Sequence, residues 1–414
     1  MIVLRGAALV LPDRILSPGT LVIDEGRIAE IRSDAPSGHA QALFHGHYVV
    51  PGFIDVHVHG VDGIDSLDGG DSVAAIAARM PRYGVTGFCP TTIACTPDAL
   101  RRVLDQIRVA RVNPAARSAR VLPAHLESNF INPEYSGAQP LSCLRSPRTT
   151  LGSRGSGRSG GTGGSGEERS DFEAAEILAE IERAAPDVGI VTVAPELDGG
   201  LDLVGWLASR GHHVSLGHSG ATYDEALAAI AAGARQATHL FNRMPPLAHR
   251  APGLAGAVLH SEEVAAEIIC DGHHVHPAIV RTAIAAKRPA RVMAITDGTA
   301  LAGLAVGSRA RLGQRTITAS ESVAVLEDGT IAGSTLTMDR AFQMLVSRIG
   351  LPVVDAATLC STTPARELGL VGYGVLAPDA VADVVVLDAN FSVVQTYVAG
   401  QLVYARELPP RAHV

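Results

Sequence analysis

PGFIDVHVHG, residues 51–60, is the stretch from which the fold of this 414-residue chain can be read. Side chains on a strand alternate with period two, so Phe53, Asp55, His57 and His59 fall on one face. Two imidazoles spaced i, i+2 at the carboxyl end of a strand can converge on one ion. A lone His-x-His says little: His45 and His47 form another, read as surface. The first pair gains weight because four later strands also end in a residue of metal-ligand type.

Seven further strand patterns follow, alternating with helical ones. They cover 84–92 (GVTGFCPTT), 120–128 (RVLPAHLES), 189–196 (GIVTVAPE), 212–219 (HHVSLGHS), 235–242 (RQATHLFN), 265–272 (AAEIICDG) and 290–298 (ARVMAITDG). Helical patterns cover Ser72–Arg82, Pro97–Arg111, Phe172–Ala185, Leu201–Ser209, Thr222–Ala232, Pro277–Ala286 and Met338–Ile349. Thr222 and Glu225 have the spacing of a capping box, and Gly233 is a stop signal. Eight strands alternating with helices over about 300 residues is the pattern of a (β/α)8 TIM-like barrel, class α/β. A doubly wound sheet is the rival, but no GxGxxG follows an early strand.

Both ends of the chain change character. Residues 2–50 (IVLRGAALVL, then GTLVIDEGRIAEI with a turn at Glu25-Gly26) and residues 376–414 (VADVVVLDAN, FSVVQTYVAG, QLVYARE) alternate as short strands. They are expected to form one small β-sandwich domain, with the barrel over 51–375. One segment breaks the barrel pattern. Residues 142–169 are nearly pure Gly, Ser, Arg and Thr, too poor in apolar surface to offset the entropy of ordering, and read as a disordered insertion.

Composition narrows the function classes. With 47 % hydrophobic and 18 % charged residues the chain can bury a large core. A net charge of −8 argues against a nucleic-acid or anionic-membrane surface. No run approaches the ~18 apolar residues of a membrane helix. The opening MIVLRGAALVLPDRIL lacks a basic region before its apolar part and reads as a strand, not a signal peptide. The five cysteines are scattered and form no CxxC, as expected of a reduced, cytoplasmic protein.

Barrel enzymes place their chemistry at the carboxyl ends of the strands. The polar residues there are His57, His59, Glu127, His218, His239 and Asp297, all types that hold zinc, iron or another first-row divalent cation. His125 shares a strand face with Glu127, but Glu127 lies nearer the strand end. Lys287 is the only lysine and lies off the fourth strand. A carbamylated lysine there cannot bridge two ions, so any bridging ligand is a carboxylate, with Glu127 the candidate.

The chain resembles the amidohydrolase superfamily and, within it, the N-acetylglucosamine-6-phosphate deacetylases. The resemblance is carried by PGFIDVHVHG, HLESNFINPEYSGAQP (125–140), APEL (194–197), LGHSGATYDEA (216–226), THLFNRMPPLAHRAPG (238–253), DGHHVHP (271–277), ITDGTALAG (295–303) and GTIAGSTLTMD (329–339). It implies that Glu127, His218 and His239 hold the main metal, that His57 and His59 complete a second site, and that Asp297 is the general acid/base. It implies that His274 hydrogen-bonds the substrate near its acetyl carbonyl. Asn242, Arg243 and Arg250 would bind the sugar phosphate, while Ala138 and the Ile331–Ala332–Gly333 backbone line the sugar pocket. A neighbouring subunit contributes to the phosphate site in this family, so a homodimer is implied.

The expected reaction is deacetylation of N-acetylglucosamine 6-phosphate with one or two divalent ions, zinc first and iron, manganese or cobalt as alternatives. N-acetylgalactosamine 6-phosphate, a non-phosphorylated amide, and a non-catalytic sugar-phosphate sensor are the rival readings. Ser128-Asn129 replaces the family's Gly-Pro, Gly298-Thr299 its Ala-Met, and Arg243 a small residue. These changes leave the ligands intact and bear on which sugar is taken.

Overall fold

Eight parallel strands run in chain order around one sheet: Phe53–Val58, Val85–Thr92, Ala124–Leu126, Val188–Val193, His213–Leu216, Gln236–Ala237, Ala265–Ile269 and Val292–Ile295. The last meets the first through a parallel bridge between Val58 and Gly298. There the Asp297 N–H donates to the His57 carbonyl at 2.9 Å and the His59 N–H to the Gly298 carbonyl at 2.8 Å. The computed structural model describes residues 1–33, 44–148 and 171–407.

Every residue of the first, second and fourth strands is buried, as parallel strands covered on both faces require. The covering helices follow their sequence signals. In Pro97–Val112, Leu100, Val103, Leu104 and Ile107 are buried at three- and four-residue spacing, and the Thr96 hydroxyl caps the first turn. Thr222 and Glu225 close the capping box of Tyr223–Ala231, each side chain accepting the other's backbone N–H.

Strands from both chain ends build one seven-stranded sheet, in the order Gln401–Ala405, Val393–Val398, Val384–Leu387, Tyr48–Pro51, Ile2–Val10, Ile15–Asp24, Arg27–Ser33. Leu4, Leu9, Leu21, Val49, Val384 and Val386 form its own core. Tyr48–Pro51 passes through Gly52 directly into the first barrel strand. Gly52 is required there, because a Cβ would collide with the Thr86 side chain. Among the described residues no helix is long and apolar enough to cross a membrane.

Three features depart from the sequence reading. The sixth strand is only Gln236–Ala237, and the chain then enters left-handed backbone at His239, Phe241 and Arg243. Residues 142–148 are not part of a disordered insertion. Cys143 and Leu144 are buried in a cluster with Ala94 and Ile131, and the Arg145 guanidinium donates to the carbonyls of Phe172 (2.8 Å) and Ser142 (2.8 Å). This apolar pair is the only one in the segment, and it suffices to anchor the segment's start; 149–169 lies outside the described residues. Finally, an antiparallel sheet of Arg309–Leu312, Arg315–Ala319, Val323–Val325 and Ile331–Ser334 follows the eighth strand, where no strands were expected.

Candidate active site

The six ligand-type residues meet at the carboxyl end of the barrel. His57 lies within its strand, Glu127 and His59 lie one residue past theirs, and His218, His239 and Asp297 two residues past. The last three have φ of 48°, 28° and 47°. Non-glycine residues pay for such backbone, so its recurrence at three converging side chains marks a constrained site. The turns swing each side chain inward over the barrel mouth.

Two triads result. Glu127 Oε1 lies 2.7 Å from His218 Nε2 and 2.9 Å from His239 Nε2, and the two nitrogens are 3.1 Å apart. His57 Nε2 and His59 Nε2 are 3.3 Å apart, and Asp297 Oδ1 lies 3.4 and 3.2 Å from them. Glu127 joins the triads: its Oε1 is 3.9 Å from His57 Nε2 and its Oε2 3.6 Å from His59 Nε2.

This arrangement fits divalent ions. Both triads bring imidazole nitrogens and carboxylate oxygens within 4.8 Å of one another. A tetrahedral ion with bonds of about 2.0–2.1 Å spreads its donors about 3.3–3.4 Å apart, close to the His57/His59/Asp297 spacings. Ligand angles near 90° would shorten this to about 2.9 Å, which matches the tighter triad. The outer ring nitrogens support the required tautomers. His218 Nδ1 faces the Tyr135 carbonyl at 2.7 Å, which can only accept, so His218 Nε2 is free for an ion.

In both triads the histidines stabilise the ionised carboxylate. Burial alone would raise the Glu127 carboxyl, but His218 and His239 hold it well below the usual range. Burial would also raise Asp297, and His57 and His59 outweigh it. Burial pushes His57 down to about 3, leaving a neutral ring. For His59 burial works the same way, yet the Asp297 hydrogen bond and the Glu127 charge carry it up to about 9. His125 is not in this array. Its Nδ1 faces the Val56 carbonyl at 3.0 Å and its Nε2 the Thr192 hydroxyl at 2.8 Å, so both nitrogens are engaged inside the barrel.

Above the array opens a cavity of about 470 Å³. His59, Glu127, His218, His239 and Asp297 form its floor, with His57 behind them. Ala138, Asn242, Arg243, His274, Ile331, Ala332 and Gly333 lie on its walls. The unexpected antiparallel sheet supplies the last three and Leu312. Gly333 has φ 81°, and a Cβ there would stand 2.9 Å from the Asp297 carbonyl oxygen, so only glycine brings this wall so close. His274 Nδ1 lies 2.6 Å from Asp271 Oδ2, whose carboxyl is held low, against burial, by that hydrogen bond and the His274 charge. Arg250 is exposed and does not line the cavity of its own chain.

Two residues escaped the sequence reading. Gln139 lines the cavity with its amide fixed: Oε1 accepts the Ala94 N–H at 2.7 Å, and Nε2 donates to Glu127 Oε2. Glu267 lies beneath the floor, with Oε2 2.9 Å from His57 Nδ1. A signal for Glu267 was present, because a single carboxylate inside the apolar strand AAEII must find a partner. Gln139 carried no such signal.

Comparison with known proteins adds to this geometry. Residues 48–403 match the amidohydrolase family. N-acetylglucosamine-6-phosphate deacetylase of Mus musculus is 35 % identical, the match covering 98 % of this chain and 94 % of the relative. N-acetylgalactosamine-6-phosphate deacetylase of Escherichia coli O157:H7 is 32 % identical, covering 97 % and 98 %. Among solved structures, an aspartate-to-alanine mutant of N-acetyl-D-glucosamine-6-phosphate deacetylase from Mycobacterium smegmatis, in complex with N-acetyl-D-glucosamine-6-phosphate, superposes with a TM-score of 0.84. It is 32 % identical, and the match covers 97 % of this chain and 99 % of that one.

Proposed function

The chain belongs to the amidohydrolase family, and from that premise we propose that it hydrolyses the amide of N-acetylglucosamine 6-phosphate to glucosamine 6-phosphate and acetate. The observation that carries the reading is the six-donor array under a cavity of about 470 Å³, in a chain whose full-length relatives bear that activity in their names. The parallel reading, N-acetylgalactosamine 6-phosphate, rests on the Escherichia coli relative.

Glu127, His218 and His239 would hold the main ion, and His57 and His59, with Asp297 beside them, a second one. Zinc is first choice, since mixed nitrogen and oxygen donors at these spacings suit it, with iron, manganese or cobalt next. Such an ion supplies the positive charge that polarises an amide carbonyl and acidifies water. The chain's own residues do the rest. Asp297, ionised and facing the cavity, takes a proton from the attacking water and returns it to the departing amine. His274 donates its Nδ1 N–H to the Asp271 carboxylate, which orients its Nε2 to meet the substrate's acetyl group. Ala138 and the Ile331–Ala332–Gly333 backbone shape the sugar end, and Asn242 and Arg243 meet the phosphate. Arg250 lies outside its own cavity, so its proposed contact with the phosphate goes with a proposed homodimer in which it enters the cavity of the second copy. Its fork of donors suits two phosphate oxygens. We also propose the division into a terminal β domain (1–50 and 376–414) and a barrel (51–375), and a cytoplasmic location.

A screen of N-acetyl sugars, free and phosphorylated, with acetate release as readout, tests the reading. The phosphorylated sugar is expected to be strongly preferred. Arg250→Ala is expected to lower kcat/KM for it by about 10–100-fold, the loss of a charge-assisted contact. Equal turnover of the free sugar, or an unaffected Arg250→Ala, would remove the phosphate from the proposal.

A further inference from the structure

Glu267 is the only charged residue of the strand Ala265–Ile269, and no part of it reaches solvent. It lies under the cavity floor, not in the cavity. A buried carboxylate is costly unless donors meet it. Two do, on the single oxygen Oε2, and both belong to the ligand array: His57 Nδ1 at 2.9 Å and the His239 backbone N–H at 3.3 Å.

The other nearby donor is committed elsewhere. The Val56 carbonyl can only accept, so His125 Nδ1 carries that ring's proton, and its Nε2 accepts from the Thr192 hydroxyl. Thr192 Oγ1 then receives from Thr238 at 2.8 Å, and Thr238 Oγ1 from Ser215 at 2.7 Å. This relay of hydroxyls runs one way and ends on His125. His125 Nδ1 stays 3.8 Å from Glu267 Oε1, beyond hydrogen-bond range, and Oε1 has no partner among the described residues.

We infer that Glu267 is a positioning residue for the second ion, holding the His57 ring so that its bare Nε2 faces His59 and Asp297. The inference rests on the two-ion reading of the site. Its logic is tautomeric: a carboxylate accepting the Nδ1 proton leaves the lone pair on Nε2, whereas the opposite tautomer would aim an N–H at the ion. A carboxylate accepting from Nδ1 also strengthens Nε2 as a ligand. His57 is singular in this. His218 has a neutral carbonyl at its outer nitrogen, and the outer nitrogens of His59 and His239 have no partner among the described residues.

Glu267→Gln keeps the shape and an acceptor while removing the charge. Full-length wild type, E267Q, H57N and the double variant, stripped by chelation, are titrated with Zn(II), and zinc per chain and the affinity of each step are measured. The wild type is expected to take two ions. E267Q is expected to bind the first unchanged and the second about 10–100-fold more weakly. H57N is expected to take one, and the double variant to match H57N, because Glu267 acts through His57. An unchanged second step in E267Q overturns the inference and leaves the two-ion reading standing. A wild type that takes a single ion overturns both. Equal weakening of both steps, or a further loss in the double variant, makes Glu267 merely structural and also overturns it. If circular dichroism shows E267Q unfolded, E267D, which draws the charge back by one methylene, is expected to weaken the second step alone.

Discussion

Glu127, His218 and His239 draw their donors to within 2.7–3.1 Å, whereas His57, His59 and Asp297 stand 3.2–3.4 Å apart. The first triad comes from the third, fifth and sixth strands. Two of its members are braced from outside, His218 by the Tyr135 carbonyl and Glu127 by the Gln139 amide. The second triad straddles the seam where the ring closes through the single Val58–Gly298 bridge. Its bracing falls on one member, His57 through Glu267, while His59 Nδ1 has no partner among the described residues. Two sites of similar donor chemistry therefore differ in how far the fold arranges them before an ion arrives. A pre-arranged site binds more tightly, because less ordering remains to be done on binding.

The strongest test of this contrast removes one side at a time. Glu127→Ala is expected to strip the metal and reduce acetate release to background, because Glu127 serves the first triad and approaches the second. His57→Asn with His59→Asn is expected to retain close to one ion per chain and a reduced but measurable turnover. Elemental analysis of the purified chains decides; equal metal loss in both would erase the distinction.

A smaller effect probes the bracing itself. Gln139→Leu removes the amide that fixes Glu127 Oε2 and leaves the Ala94 N–H unpaired. Ion affinity at the first triad is expected to fall about 10–100-fold, with about 1–3 kcal/mol of stability lost to the buried donor. Chelator competition and thermal melting read the two separately. Unchanged affinity would show that the His218 brace suffices.

The smallest effect lies at the opposite end of the barrel and serves as a control. Burial, and then the charge of Arg291, push the Lys287 amine down to about 8 from 10.5, and it donates to the Ser261 carbonyl. Between those values the folded chain has released a proton that the unfolded chain still holds. Stability contributed by Lys287 therefore rises with pH across that window. Relative to Lys287→Met, the wild type is expected to gain on the order of 2 °C in Tm from pH 8 to 10, with metal content identical. A gain shared by the variant would assign the rise to other groups.

Most of the barrel was legible because its signals are local. PGFIDVHVHG, the Thr222/Glu225 capping box and the fully apolar strands each declare themselves within a few residues. Cys143 and Leu144 were hidden by the Gly/Ser/Arg composition around them, although two buried side chains were enough to order that stretch. The sheet of residues 309–334 was missed because its strands are short, mixed with arginine, and stabilised by contact with the barrel mouth. Gln139 gave no signal, and the lone carboxylate of Glu267 signalled a partner without naming it, because the partners lie 12 and 210 residues away.

By itself the sequence determined the order of the eight barrel strands, the union of the two chain ends in one β unit, and the chemical types at the strand ends. Periodicity, capping and turn residues are properties of neighbouring positions, so they survive without coordinates. Tertiary structure alone decided which donors meet which. Left-handed turns at His218, His239 and Asp297 and the closing of the ring at Val58–Gly298 set those distances. Arg250 was likewise excluded from its own cavity by the path of its loop. Convergence of side chains from distant strands depends on barrel curvature and on backbone strain, and neither is written in any short run of residues.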